Sequence, residues 1–151
     1  MAAALGVRPA DRALCAPSLA ARQTAAALGL EAAIEPLIRD WDFGRWAGRP
    51  VAEVAGDWPA GFQAWMTDPG SAVHGGESLM DLLRRVGPWV AEGLRAPGRT
   101  VVVTHAAVIR AAVVCAIEAN PATFWHLDVG PLSETWLRSD GRRWMLRSMR
   151  A

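Results

Sequence analysis

The sequence predicts an α/β fold of three layers, with a mostly parallel sheet flanked by helices. Val101-Val102-Val103 is a run of β-branched apolar residues, and a helical pattern begins directly after Thr104-His105. Such a run reads as a short strand buried on both faces, the kind a parallel sheet makes. Ala13 to Ala16 repeats the arrangement, with Pro17 suited to the first turn of the helix that follows. A third observation is the helical spacing of Leu79, Leu82, Leu83, Val86, Val90 and Leu94, which predicts an amphipathic helix between the two strand regions.

Each element follows in order. The helix after Pro17 ends at Gly29, and Ala33 to Leu37 reads as a weak second strand. Arg39 to Gly70 is loop-rich with two short helices and carries Trp41, Trp46, Trp58 and Trp65. These rings are expected to fill core and lid surface, because aromatics act mainly through the area they bury. Ser78, with Asp81 three residues on, resembles a capping box that opens the amphipathic helix. Pro88 should kink or locally break that helix, since proline lacks a donor and clashes with the preceding turn. Val108 to Ala119 is an apolar helix, and His126 alternates like a structural strand residue. Thr135 to Ser139 and Arg143 to Arg147 flank Asp140-Gly141-Arg142, the turn signal of a hairpin.

Composition bounds the function. At 151 residues one domain, spanning 1–151, is expected, long enough for its own core. Hydrophobic residues at 52% and charged residues at 21% fit a globular chain and exclude a disordered one. A net charge of +1 gives no bulk attraction to nucleic acid or a membrane surface. The basic residues are all arginine, a bias that accompanies heavy alanine use and needs no functional purpose. Cys15 and Cys115 lie in apolar contexts and read as buried free thiols. His74, His105 and His126 lack metal-ligand spacing, so neither a metal nor another cofactor is expected. No basic region precedes an apolar stretch at the start, and no apolar run reaches membrane length, so a cytoplasmic chain is expected.

His105 stands where open α/β sheets place their chemistry, at the carboxyl end of a strand. A ring simply hydrogen-bonded near a helix start is the competing reading. Its company supplies context: Ala16-Pro17-Ser18-Leu19-Ala20-Ala21-Arg22-Gln23-Thr24-Ala25, then Leu37-Ile38-Arg39-Asp40-Trp41-Asp42-Phe43-Gly44-Arg45-Trp46-Ala47-Gly48, then His74-Gly75-Gly76-Glu77-Ser78-Leu79, then the His105 run. In this order and spacing the chain, from Leu14 to Trp144, resembles the histidine phosphatase superfamily, also called phosphoglycerate-mutase-like.

The resemblance implies phosphomonoester hydrolysis through a phosphohistidine, with His105 as the family's second histidine and Asp40 as its proton donor. Ser78 and His74 would lie near the phosphate. Ser78 reads equally as a helix cap, and Asp40 as a surface acid. Arg110 is expected to brace the strand–helix corner, with phosphate contact as the other role. The family's opening strand ends in Arg-His-Gly, and no such tripeptide occurs in these 151 residues. Met1 to Gly6 resembles instead the tail of the family's first helix. A missing strand, loop and most of a helix would amount to roughly 25–30 residues. The family's phosphate-binding arginine falls on Ala20, and Arg22 lies on another side of the helix.

Three readings follow: a shortened copy of a phosphatase, without turnover as it stands; a non-catalytic relative that binds a phosphorylated small molecule or a protein partner; or an active enzyme with some other arrangement, for which no residue pattern speaks. Without the first central strand, the Val101–His105 strand would have an open edge. Either the Thr135–Ser139 strand closes onto it, or a second copy fills the gap as a homodimer, or it stays open.

Overall fold

The computed structural model describes residues 9–151. The expected helix tail at Met1 to Gly6 lies outside them. Three parallel strands form the sheet: β1 (Arg12–Cys15), β2 (Ala33–Ile34) and β3 (Thr100–Val103), in the order β2-β1-β3. Leu14 stands opposite Ala33 on one side and Val102 on the other. Helix α1 (Leu19–Ala27) connects β1 to β2 and packs on β1 and β3. This is an α/β fold, a parallel sheet flanked by helices.

Local chemistry explains the element ends. Ser18 caps α1, its Oγ accepting the Ala21 N–H at 3.1 Å. Beyond the helix, Gly29 takes φ +71°, a left-handed conformation that glycine adopts without strain. The second strand stops after Ile34, short of the expected Leu37. Pro36 has no N–H for a ladder, and Pro36–Ile38 coils into a 3-10 turn whose Leu37 N–H bonds Glu35.

Helices α2 (Val51–Asp57) and α3 (Pro59–Thr67) occupy the loop-rich segment. Trp41, Trp46 and Trp65 are buried there, and Trp41 meets Phe124 edge-on at 5.3 Å. The tryptophans thus fill core, as expected, although Trp58 stays exposed beneath the Arg49 guanidinium.

Helix α4 (Leu79–Gly93) buries Leu79, Leu82, Leu83, Val86 and Val90 along one stripe against α5 (Ala106–Ala116). Full burial of such a side chain stabilises by about 1.5–3 kcal/mol. The capping box forms as expected, with Ser78 and Asp81 exchanging bonds. No break occurs at Pro88; the helix is continuous across it, because packing on α5 outweighs one lost backbone bond.

The strand β3 departs from expectation. Val101, Val102 and Val103 are half-buried rather than buried on both faces. One edge of β3 pairs with β1, and the other has no strand partner among the described residues. The hairpin β4 (Glu134–Ser139) and β5 (Trp144–Arg150) forms a separate two-stranded sheet and does not close onto β3. It is held instead by α4 and α5: Trp144 Nε1 donates to the Val90 carbonyl at 3.0 Å, and Ser139 Oγ donates to that of Leu94. Its turn is built as read, with Asp140 accepting the amides of Arg142 and Arg143 and Gly141 at φ +85°.

His126 is exposed and ends a 3-10 segment over Pro121–His126, not a strand, because Asn120 caps that turn and Pro121 starts it. Cys15 is a buried free thiol as expected, whereas Cys115, also free, is only half-buried. Among the described residues no helix is long and apolar enough to cross a membrane.

Candidate active site

Parallel pairing sets Cys15 opposite Val103, so the chain leaves β1 and β3 side by side. Ser18 begins α1 and His105 begins α5, and their side chains meet: Ser18 Oγ lies 2.9 Å from His105 Nε2. On the other ring nitrogen, Nδ1, Asp40 Oδ2 stands at 3.4 Å. His105 is 22% exposed and Asp40 47%, so the pair faces solvent rather than the core. Thr104 Oγ1 donates to the Ile38 carbonyl at 2.8 Å, which ties the segment before Asp40 to the end of β3. The second Asp40 oxygen accepts the Trp41 amide at 2.8 Å.

Both helices aim their N-termini at this spot. Among the described residues, the first amides of α1, at Leu19 and Ala20, have no hydrogen-bond partner, nor do those of α5 at Ala106 and Ala107. Unsatisfied amides carry the positive end of each helix dipole, which favours an anion there.

The loop bearing Asp40 is held from below. Arg85 grips Glu77 through two bonds, Nε to Oε1 at 2.7 Å and Nη2 to Oε2 at 2.8 Å. The same guanidinium donates to the carbonyls of Leu37, Arg39 and Asp40. Burial alone would raise the Glu77 carboxyl, but the bonds from Arg85 and the Asp42 amide outweigh it and hold it below the usual carboxylate range. Two glycines let the loops touch. A Cβ on Gly44 would overlap the His74 carbonyl, and one on Gly76 would overlap that of Asp42. The loops are then joined by Arg45 N–H to His74 O at 2.8 Å and Glu77 N–H to Asp42 O at 2.9 Å.

The expected site residues divide into two groups. His105 and Asp40 come together. Ser78, His74 and Arg110 make no polar contact with either of them. The Ser78 hydroxyl donates to Asp81 Oδ2 at 2.8 Å and accepts the Asp81 amide, so the cap role consumes it. His74 is fully buried beside Trp46, ring centroids 5.1 Å apart, and Nδ1 accepts the Gly76 N–H. Burial lowers its pKa below the ordinary imidazole range. Arg110 lays its guanidinium over Phe124 at 5.7 Å, with Nε buried and unpartnered. Capping fixes the Ser78 hydroxyl, and packing decides the places of His74 and Arg110.

Sequence reading missed Ser18, Glu77 and Arg85. Ser18 had a legible signal, since it follows a strand end just as His105 does. Arg85 had none: its role depends on carbonyls 45 to 48 residues away.

A profile of the histidine phosphatase superfamily (branch 1) matches residues 1–151. A glucosyl-3-phosphoglycerate phosphatase of Mycobacterium tuberculosis is 32% identical over 123 residues, 75% of this chain and 55% of the relative. A bifunctional protein of the same organism is 33% identical over 145 residues, 92% of this chain and 38% of the relative. The chain thus spans little more than half the length of the first relative and less of the second. The solved mycobacterial glucosyl-3-phosphoglycerate phosphatase in complex with VO3 superposes with a TM-score of 0.85 at 29% identity, covering 99% of this chain and 80% of that one. Fold, strand-end histidine and sequence match agree: this chain belongs to the histidine phosphatase superfamily.

Proposed function

We propose that this domain binds the phosphoryl group of a small phosphorylated molecule at the His105 end of β3, and that these 151 residues do not turn it over by the family's phosphohistidine route. The observation that carries the binding reading is His105 paired with Asp40 between two helix N-termini whose first amides are free. A phosphomonoester dianion would accept bonds from those amides, with the His105 ring against it and Asp40 placed beside the ester oxygen. The absence of turnover rests on two features of the sequence. It contains no Arg-His-Gly, and alanine stands at position 20 where the family resemblance places an arginine. Loss of one preorganised donor costs on the order of 10²–10³ in rate, and here the covalent acceptor is absent as well. Two relatives' names make a sugar-linked phosphoglycerate the first organic ligand to test.

The test uses inorganic phosphate and vanadate, with calorimetry as readout. Saturable binding is expected, lost in His105→Ala and retained in Ser78→Ala, whose hydroxyl serves α4 alone. Hydrolysis of p-nitrophenyl phosphate should stay at the buffer rate. Turnover abolished by His105→Ala, or a phosphohistidine detected at His105, would overturn the second half of the proposal. Binding indifferent to His105→Ala would overturn the first.

A further inference from the structure

We propose that Ser18, His105 and Asp40 form a relay that hydrolyses small carboxylic esters through Ser18, an activity separate from phosphate recognition. The side chains stand in the order that nucleophilic catalysis requires: hydroxyl, imidazole, carboxylate, at 2.9 and 3.4 Å. Electrostatics selects the tautomer. A proton on Nδ1 faces the Asp40 carboxylate; with the proton on Nε2, a nitrogen lone pair would face that carboxylate instead. The carboxylate thus favours the proton on Nδ1 through its charge at 3.4 Å, without a hydrogen bond between them, and Nε2 accepts the Ser18 O–H. That leaves Nε2 placed to take the serine proton.

The position of Ser18 adds two further features. Its Oγ accepts the Ala21 N–H at 3.1 Å, a bond that strengthens as the oxygen gains negative charge. The free amides of Leu19 and Ala20 follow it directly, and they are the donors available to a developing oxyanion. Ser18 is half-buried and therefore reachable, and Leu19 beside it is exposed, an apolar lip suited to a short acyl chain. The resemblance assigns no role to a serine here, so the reading rests on these contacts alone.

The chemistry balances without a metal or other co-reactant besides water. Ser18 Oγ bonds to the acyl carbon while its proton passes to His105 Nε2. The tetrahedral adduct expels the alcohol, which carries that proton away, and an acyl-Ser18 ester remains. Water then attacks the acyl carbon, gives its proton to Nε2, and Ser18 departs with it. The sum is ester plus water to acid plus alcohol.

A fluorophosphonate probe and p-nitrophenyl acetate test the relay. The expected result is one phosphonyl adduct, mapped to Ser18 by peptide mass spectrometry, and release of p-nitrophenolate. Ser18→Asn keeps a good helix cap and removes the nucleophile, so it should fold, by circular dichroism, and neither label nor hydrolyse. His105→Gln should slow labelling about 100-fold or more, the lower range for a general base, and Asp40→Asn should slow it too. No adduct at Ser18, an adduct elsewhere, or a labelling rate indifferent to His105→Gln would overturn the proposal. Phosphate binding is read separately by vanadate, so failure of one reading is distinguishable from failure of the other.

Discussion

His74 holds one ring nitrogen in a bond and leaves the other buried without one. Nδ1 must be unprotonated to accept the Gly76 N–H at 2.9 Å, so the proton sits on the unpartnered Nε2. Charging the ring would cost both its desolvation and that bond. The folded pKa accordingly lies below the unfolded value of about 6.5. Below about pH 6.5 the unfolded chain binds the proton first, so stability falls as pH drops and levels off once the folded ring also titrates. Urea unfolding between pH 8 and 5 should show this slope in the native chain, and His74→Gln should lack that share of it. Equal slopes in the two proteins would remove His74 as the source.

At the scale of elements, the Glu77–Arg85 pair joins α4 to the loop that bears Asp40. Arg85 is only 7% exposed and Glu77 14%, and three backbone carbonyls depend on the same guanidinium. Removing one partner of a buried pair costs about 3–5 kcal/mol where the other charge is left uncompensated; here Glu77 keeps the more exposed Arg39 at 3.4 Å, which places the cost at the low end. Arg85→Met should lose about 3 kcal/mol in urea unfolding, since Glu77 regains some water. A loss under about 1 kcal/mol would mean the loop does not depend on the clamp. The elements themselves were readable to different degrees. Ser78 and Asp81 sit on one turn, as do Asp140 and Gly141, and such short-range chemistry acts within a few residues. The continuity of α4 across Pro88 was not readable, because it depends on α5 and not on the helix's own bonds.

For the whole molecule, the open side of β3 is the dominant feature. Val102 and Val103 pack against the core, and the outer row of backbone groups meets no strand among the described residues. An exposed apolar edge is a template for pairing with another chain. The 151-residue chain should therefore self-associate as concentration rises, seen by size-exclusion chromatography with light scattering. Val101→Lys places a charge on that edge outside the core cluster and should shift the population toward monomer. A native chain that stays monomeric at high concentration would contradict this.

The sequence by itself determined the strand-to-helix switches at Ala16 and Thr104, the helix caps, the hairpin turn and, through four spaced motifs, the family. Each of these is written in neighbouring residues, where caps, proline and glycine act locally. Which titratable groups meet was decided only in the tertiary structure. Ser18 and His105 are 87 residues apart and touch because β1 and β3 pair in parallel register. His74, one residue type with His105, went into the aromatic core instead. Its surroundings are Trp46, Trp65 and Phe43, drawn from two separate segments, and burial is a sum over such distant neighbours that no local pattern encodes.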